Sequence, residues 1–322
     1  MSVYTSLDAG DIQPLLENYG QGSLIAFKGI EAGIENTNYF VSAESTASGR
    51  REFVLTLFET TSTENLEGYF DLMAHLAAAG LPAAKPFKCE RGNYLSTVKS
   101  KPTALIERLS GESANLPNRH QCTAIGSFLA QMHHAVRNLQ IDLINARGAQ
   151  WRTTTIAKLA PELSAKQLEL IDAAHSSAVS FENAGIPQGI IHGDLFHDNA
   201  LYEDNDLKGV IDFYYAHHGP LIYDLAVCIA DWCFVQNDCL MNIENARAIL
   251  RGYQAIRELS DAEKNLWVNA MELAGLRFYL SRLHDKHFPR PGSLTQEKDP
   301  QAFLNLITLC RHKPAEITQL LA

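Results

Sequence analysis

The sequence predicts an α+β fold with two lobes, a small N-terminal lobe built on an antiparallel sheet and a larger C-terminal lobe that is mainly helical. Up to residue 109, short apolar segments alternate with glycine, proline and polar turns, which is typical of strands. From Pro117 onward, apolar residues recur every three or four positions, as they do along one face of a helix. A hairpin-like stretch, Ile190 to Phe213, interrupts this helical region. We therefore predict a first lobe at residues 1–107 and a second at residues 108–322.

The composition is typical of a globular protein with room for two hydrophobic cores. The chain has 322 residues, of which 46% are hydrophobic and 20% charged, and its net charge is −10. An acidic chain argues against nucleic acid or an anionic membrane as the main partner. No apolar run approaches the roughly 20 residues that a membrane-spanning helix needs, and the first residues lack the pattern of a secretory signal. We expect a cytoplasmic protein whose partner is a small-molecule substrate.

The cysteines form neither a C-x-x-C pair nor a zinc-binding spacing. Most stand among apolar residues, and we expect them to behave as small buried hydrophobic side chains. The six are Cys89, Cys122, Cys228, Cys233, Cys239 and Cys310.

The first lobe is predicted to contain a short helical lead, five strands and one longer helix. The lead lies within residues 1–22, where apolar residues stand at helical spacing. The longer helix, Thr63–Ala79, begins at a Ser62 or Thr63 cap and ends before Pro82. The strands are apolar segments separated by turns. They are assigned to Ser23–Ile30, Tyr39–Val41, Arg51–Phe58, residues 86–98 and residues 103–109.

The second lobe is predicted to contain six helices, each with apolar residues at helical spacing. The polar segment 142–160 is expected near the acceptor site, and residues 289–300 are expected to form a loop. His133 and His134 are adjacent on the first of these helices and share no face, so we interpret them as packing or surface residues. The helices are assigned to a segment through Ile125 and Leu139, then to Leu163–Asn183, Asp224–Phe234, Glu244–Leu259, Asp261–Arg282 and Ala302–Cys310.

The stretch from Ile190 to Phe213 organises the second lobe. It reads I-I-H-G-D-L-F-H-D-N-A-L-Y-E-D-N-D-L-K-G-V-I-D-F, a loop followed by two short apolar runs that are separated by a polar turn. This pattern predicts a β-hairpin. Pairing of its two strands would bring Asp194, Asn199 and Asp212 into one small volume.

These three side chains are suited to phosphoryl transfer from ATP. That reaction needs a carboxylate to orient an acceptor hydroxyl and take its proton, and oxygen ligands that hold Mg²⁺ against the phosphates. Singly, Asp and Asn are common turn formers or caps. Together, and with Asp212 at the end of an apolar strand, they indicate a catalytic and metal-binding site.

The motif H-G-D-x-x-x-x-N followed by V-I-D-F resembles the aminoglycoside phosphotransferase and choline kinase superfamily, whose members are relatives of the protein kinases. The resemblance implies a two-lobed protein-kinase-like fold that binds ATP and Mg²⁺ in a cleft. It implies that Asp194 is the catalytic aspartate and that His192 shapes the catalytic loop. Asn199 and Asp212 match the magnesium ligands. The later G-P-L-I-Y-D-L-A resembles the segment of the family that carries the aspartate at position 224.

The same resemblance implies a nucleotide site in the first lobe. The hairpin turn around Gly33 is similar to the nucleotide-covering loop of the family. Thr56 stands where the wider superfamily usually has a lysine for the ATP phosphates, and Lys28 is a candidate to offset the phosphate charge instead. The backbone that connects the lobes would meet adenine. The cofactor-binding residues implied in this way are Gly33, Asn36, Asn38, Thr56, Glu107 and Leu109.

Further segments resemble the bacterial homoserine kinases of this superfamily. That resemblance implies phosphorylation of the side-chain hydroxyl of L-homoserine by ATP, on the route to threonine. Two alternatives remain open: a kinase for another small hydroxyl compound, such as an amino alcohol, a sugar or an aminoglycoside, and a silent nucleotide-binding module. The segments are V-L-T-L-F-E, E-A-G-I-E-N-T-N-Y-F-V, F-Y-Y-A-H-H-G-P-L-I-Y-D-L-A and L-R-F-Y-L-S-R-L-H-D.

The acceptor would need a partner for its carboxylate, and arginine suits that role because its planar fork binds both oxygens. Tyr214, Arg277 and Arg282 are the predicted substrate-binding residues. The two arginines lie five positions apart on one predicted helix, so they point in different directions, and we expect one of them to face the site.

Overall fold

The computed structural model describes residues 4–30, 36–46, 49–59, 66–235, 240–289 and 299–321. It divides into two compact units, the first extending to Ser110 and the second beginning at Gly111. The turn at residues 31–35, the Ser62 or Thr63 cap and most of the predicted loop at 289–300 lie outside the described residues.

The first unit is built on an antiparallel sheet, which among the described residues has five strands in the order β1-β2-β3-β5-β4. Apolar side chains of the N-terminal helix and of the sheet form a core that includes Ile12, Leu16, Val41 and Phe53. The elements are α1 (Ala9–Asn18), β1 (Ser23–Gly29), β2 (Thr37–Ser45), β3 (Gly49–Leu57), α2 (Leu66–Ala78), β4 (Leu95–Val98) and β5 (Lys101–Glu107).

The predicted strand at residues 86–98 is wrong over its first part. Only 95–98 pairs as a strand, while Pro86 makes a single bridge to Ile106. Proline has no backbone N–H to continue a ladder. Gly92 then turns the chain in a left-handed conformation, with φ +85°.

The second unit is mainly helical, and among the described residues three small sheets, two with two strands and one with three, are set into it. Its helices are α3 (Arg119–Ala135), α4 (Ala149–Leu159), α5 (Ala165–Glu182), α6 (Leu221–Trp232), α7 (Ile243–Gln254), α8 (Asp261–Asn265), α9 (Trp267–His287), α10 (Gln301–His312) and α11 (Pro314–Thr318). Its strands are β6 (Glu112–Ser113), β7 (Gln188–Ile191), β8 (Ala200–Glu203), β9 (Asp206–Val210), β10 (His217–Pro220), β11 (Phe234–Val235) and β12 (Leu240–Met241).

Two helical predictions need correction. The segment Asp261–Arg282 is not one helix, because Leu266 leaves helical geometry (φ −103°, ψ 11°) and separates α8 from α9. Helix α4 lies in the polar segment 142–160, for which no helix was predicted. Its buried face includes Arg152 and a threonine, so it lacks a clear apolar stripe.

Helix α9 lies at the centre of the second unit. Every residue from Ala270 to Leu280 is buried, and the helix packs against α5, α6 and α10. Helices α3 and α7 approach each other at two glycines. A Cβ on Gly126 would lie 2.1 Å from the carbonyl oxygen of Ile249, and one on Gly252 would lie 2.2 Å from that of Thr123. The close approach of these backbones requires glycine at both positions.

The predicted hairpin is confirmed, since β8 and β9 pair antiparallel with Ala200 opposite Val210. A second antiparallel pair joins β7 to β10, with Ile191 opposite His217. The loop that follows β7 therefore starts beside β10 and ends in the hairpin. No helix in the described part of the chain is long and apolar enough to cross a membrane.

Candidate active site

The loop after β7, which was predicted to be the catalytic loop, begins with a glycine that the geometry requires. Gly193 has φ +74°, a conformation that L side chains rarely adopt. A Cβ there would lie 2.8 Å from the carbonyl oxygen of Tyr215 and 3.2 Å from the ring of His217. This close approach sets the direction in which Asp194 leaves the strand.

Asp224 anchors this loop from the first turn of α6. Its fully buried carboxylate accepts hydrogen bonds from the backbone N–H groups of His192 (2.8 Å) and Gly193 (2.9 Å). His133, which is also buried, donates to it through Nε2 at 3.0 Å and is joined through Nδ1 to the hydroxyl of Tyr253 at 2.9 Å. Burial by itself would raise the pKa of Asp224, but these hydrogen bonds and the nearby imidazoles outweigh it and hold the pKa below its usual range.

His133 thus has a more specific position than the sequence indicated. It is a packing residue in that it is buried, but both of its ring nitrogens are hydrogen-bonded within the unit. The sequence around His133 gave no sign of these hydrogen bonds, because the residues that His133 bonds to lie on α6 and α7.

Replacing Asp224 by asparagine is expected to lower the free energy of unfolding by about 1–3 kcal/mol, because an amide N–H₂ would face buried donors. The pKa of Asp224 is lower in the folded protein than in the unfolded chain, where it is roughly 4. The stabilisation of the fold by the Asp224 carboxylate is therefore complete at pH values above the unfolded pKa and is lost as the pH falls through the folded pKa. Urea unfolding of both proteins should show a constant difference near neutral pH that narrows in acid. An equal stability at pH 7 would contradict the anchoring role.

His192 joins the loop to the segment before Asp212. It is fully buried, and burial lowers its pKa, so the ring is neutral. Its Nδ1 accepts from the backbone N–H of Asp194 (3.3 Å), and its Nε2 donates to the carbonyl oxygen of Ile211 (3.1 Å). The ring also packs on Phe213, with centroids 4.7 Å apart.

Two hydrogen bonds to backbone carbonyl oxygens bring together the three predicted phosphoryl-transfer residues. The side-chain amide of Asn199 donates to the carbonyl oxygen of Asp194 at 2.9 Å, and the N–H of Ile211 donates to the carbonyl oxygen of Asn199 at 3.0 Å. Asp212 follows at once, in a left-handed conformation with φ 65°. Asp194, Asn199 and Asp212 therefore belong to one hydrogen-bonded loop system.

The donor set of this loop system fits a magnesium ion. The side-chain nitrogen of Asn199 is used in the loop, so the predicted ligand atoms are its amide oxygen and a carboxylate oxygen of Asp212. Among the described residues no cluster of three or more His, Cys, Asp or Glu could hold a metal. Mg²⁺ suits two oxygen ligands, because it keeps several waters and takes its remaining ligands from phosphates.

Helix α6 also holds the far end of the loop. Asp231 accepts from the backbone N–H of His197 at 2.8 Å and from its Nδ1 at 2.6 Å, and the indole of Trp232 donates to the carbonyl oxygen of Leu195 at 3.0 Å. The catalytic loop is thus fastened to one helix at both ends.

A cavity of about 160 Å³ lies beside Gly193 within the second unit. Arg277 projects into it from α9, with its Nη2 3.5 Å from Oδ1 of Asp194. Arg152 forms a two-pronged pair with Glu182 (2.9 and 2.6 Å). The charged and histidine side chains of the lining are Arg147, Arg152, Glu182, His217, His218 and Arg277, so its formal charge is positive.

The three predicted substrate residues lie in different places. Arg277 lines the cavity. Tyr214 is not among the lining residues, but its neighbour Tyr215 is. Arg282 instead donates to the carbonyl oxygen of Asp299 (2.8 Å), and its guanidinium lies 4.5 Å from the ring centre of Phe303. Burial lowers the pKa of Arg282, against the opposing effect of nearby carboxylates.

Arg147, Arg152 and Glu182 were not predicted as site residues. Two of them belong to the polar segment 142–160, and that segment was expected near the acceptor site. The clustering of arginine in a polar stretch was the available signal, but it did not reveal which side chains reach the cavity.

The predicted nucleotide residues of the first unit are placed as follows. Thr56 is buried and donates through Oγ1 to Oδ1 of Asn38 at 2.8 Å, across the pair β2–β3. Oδ1 of Asn36 is buried and has no hydrogen-bond partner within the described ranges. Glu107 and Leu109 line a second cavity, of about 330 Å³, beneath α2. Gly33 lies outside the described residues.

Residues 26–259 match the sequence profile of a family described as the phosphotransferase enzyme family. The homoserine kinase of Methylobacillus flagellatus is 42% identical over 322 residues, which cover 100% of this chain and 98% of that protein. The homoserine kinase of Neisseria meningitidis is 37% identical over 307 residues, covering 95% of this chain and 99% of that protein.

Two solved structures have a similar fold. Amicoumacin kinase in complex with AMP-PNP, Ca²⁺ and its ligand has a TM-score of 0.69 and 17% identity, covering 94% of each chain. The microcompartment-associated aminopropanol kinase also has a TM-score of 0.69 and 17% identity, covering 98% of this chain and 100% of that chain. At this level of identity the similarity shows the fold alone, and the predicted kinase-like fold is confirmed.

Proposed function

The chain belongs to the phosphotransferase enzyme family, and from that premise we propose that it is a homoserine kinase. Relatives of that name match it at up to 42% identity over its full length. The proposed reaction is the transfer of the γ-phosphoryl group of ATP to the side-chain hydroxyl of L-homoserine, which yields O-phospho-L-homoserine and ADP and leads toward threonine.

The proposed reaction forms one bond, breaks another and transfers one proton to a residue of the loop. The acceptor oxygen forms a bond to the γ-phosphorus, and the bond from that phosphorus to the β–γ bridging oxygen breaks, so that ADP leaves. The hydroxyl proton passes to a carboxylate oxygen of Asp194. His192 and Asp224 keep the backbone of Asp194 in place through the hydrogen bonds described above.

Mg²⁺ is proposed as the metal cofactor, held by Asn199 and Asp212. When bound, the ion neutralises developing charge on the phosphates. The protein contributes the two oxygen ligands. The residues that carry them are held near each other by the hydrogen bond from the N–H of Ile211, the residue before Asp212, to the carbonyl oxygen of Asn199.

The observation that carries the acceptor assignment is the small, positively charged cavity that is lined by Gly193 and by Arg277, the residue next to Asp194 in space. Its volume of about 160 Å³ is below the roughly 300–1,000 Å³ typical of sites for drug-sized ligands. Three arginines against one glutamate favour an acceptor with a carboxylate. A polycationic aminoglycoside would require the opposite charge.

The nearest rival is a kinase for an amino alcohol, and one fold neighbour is an aminopropanol kinase. An amino alcohol has a hydroxyl and an ammonium but no carboxylate. The positive lining of the cavity would then repel the substrate, so the charge balance favours homoserine.

Measurement of ADP release with L-homoserine, with 3-aminopropanol and with no acceptor tests the proposal. We expect kcat/KM for homoserine to exceed that for 3-aminopropanol by roughly 10–100-fold or more, because a charged partner in the cavity is left unpaired without the carboxylate. Equal values would favour an amino-alcohol kinase. ADP release that does not depend on either acceptor would contradict a homoserine kinase.

A further inference from the structure

Arg147 is held in a fixed orientation at the wall of the cavity. Its guanidinium lies 4.7 Å from the ring centre of Trp151 and 5.4 Å from that of Tyr215. Its Nη2 also donates to the hydroxyl of Tyr215 at 3.1 Å. Two aromatic contacts and one hydrogen bond therefore orient the planar fork before any ligand arrives, which reduces the entropy lost on binding.

The hydrogen-bonding capacity of Arg147 is incompletely used. Its Nε atom is buried and has no hydrogen-bond partner within the described residues. A buried donor without a partner destabilises the structure, and more so when it belongs to a charged group. A ligand that accepts a hydrogen bond from Nε would remove this cost.

Arg147 also differs from the other two arginines of the lining in the pairing of its charge. Arg152 is paired with Glu182, and Arg277 lies beside Asp194. Within the part of the chain that the structure describes, Arg147 belongs to no ion pair with a carboxylate. The cavity therefore contains one oriented guanidinium that is available to form an ion pair with an anionic ligand.

We infer that Arg147 binds the carboxylate of the acceptor, through Nε–H and a hydrogen of the guanidinium NH₂ groups. The ligand class is a small α-amino acid with a side-chain hydroxyl, and the inference rests on the proposed homoserine kinase activity. A carboxylate matches this fork with two parallel hydrogen bonds. Arg277 then acts at the other end of the substrate, beside Asp194, where phosphoryl transfer takes place.

A purely structural role for Arg147 predicts a different outcome. Cation–π contacts such as those of Arg147 with Trp151 and Tyr215 stabilise a fold modestly. Loss of such contacts would lower thermal stability and would reduce activity toward every acceptor alike. A carboxylate-binding role changes the preference between acceptors instead.

The test compares Arg147→Gln with wild type and with a matched control, Arg251→Gln, which removes the same charge from an exposed position on α7. kcat/KM is measured for L-homoserine and for 3-aminopropanol, together with the melting temperature. In R147Q, kcat/KM for homoserine should fall by roughly 10–100-fold, mainly through KM. The value for 3-aminopropanol should not fall, because the substitution also removes one of the positive charges that repel the ammonium group. R251Q should retain the wild-type preference.

Each outcome has a distinct meaning. If R147Q keeps the wild-type preference for homoserine, or loses both activities in proportion, the inference about Arg147 is overturned. If the wild-type enzyme itself shows no preference for homoserine, the proposed function fails first. Should R147Q not fold, Arg147→Lys retains the charge without the fork and without Nε, and it must still lose preference for homoserine if the inference is correct.

Discussion

Replacement of Asp194 by asparagine is expected to lower kcat by roughly 10²–10⁴-fold, the usual contribution of a general base. Asparagine has the same shape as aspartate, but its amide cannot accept the hydroxyl proton. Its side-chain oxygen can still face Arg277, which lies 3.5 Å from the native carboxylate. Folding and the affinity for ATP should therefore change little, and the loss should be in kcat.

Steady-state kinetics with homoserine and ATP, combined with a nucleotide-binding measurement, would check this expectation. Asp206→Asn is a suitable control, because it removes the same charge from the exposed turn of the hairpin. Turnover of the Asp194 variant at the wild-type rate would remove Asp194 from the catalytic role.

Removal of the carboxylate of Asp212 is expected to reduce turnover by roughly 10²-fold or more, since a metal ion supplies several kcal/mol of transition-state stabilisation. The choice of substitution matters here. Asp212 has φ 65° and ψ 55°, and an alanine in this conformation would add a backbone cost of about 1–2 kcal/mol. Asparagine tolerates the left-handed region better and keeps a side-chain oxygen, so Asp212→Asn separates the loss of the carboxylate charge from backbone strain.

Titration of activity with Mg²⁺ at fixed ATP should show a higher Mg²⁺ requirement and a lower maximum in both Asp212 variants. Asp204→Ala is the control for strain, because Asp204 also has a positive φ, of 53°, in the turn of the same hairpin. Thermal shifts recorded with and without Mg²⁺ and ATP provide a second measurement. An unchanged Mg²⁺ dependence in Asp212→Ala, the variant without any side-chain oxygen, would show that Asp212 is not a metal ligand.

Much of the fold could be predicted because its signals are local. The hairpin β8–β9 follows from two apolar runs around a polar turn, and its pairing is as expected. The β7–β10 pair was not predicted, because its strands are short and are separated by the whole catalytic loop. The break at Leu266 and the loss of strand at residues 86–94 reflect backbone geometry that hydrophobic periodicity does not encode.

The sequence by itself determined the phosphoryl-transfer motif of this protein, with Asp194, Asn199 and Asp212 as its predicted residues. These residues lie on one short segment, so loop and hairpin hydrogen bonds suffice to join them. Only the tertiary structure decided the acceptor cavity. It places Arg277, Tyr215 and Arg147 in the lining of this cavity, of which only Arg277 was predicted as a substrate residue. These side chains reach the cavity from α9, from the turn after β9 and from the segment before α4. Their convergence depends on how packed helices orient each residue, and that orientation is set by contacts between distant parts of the chain.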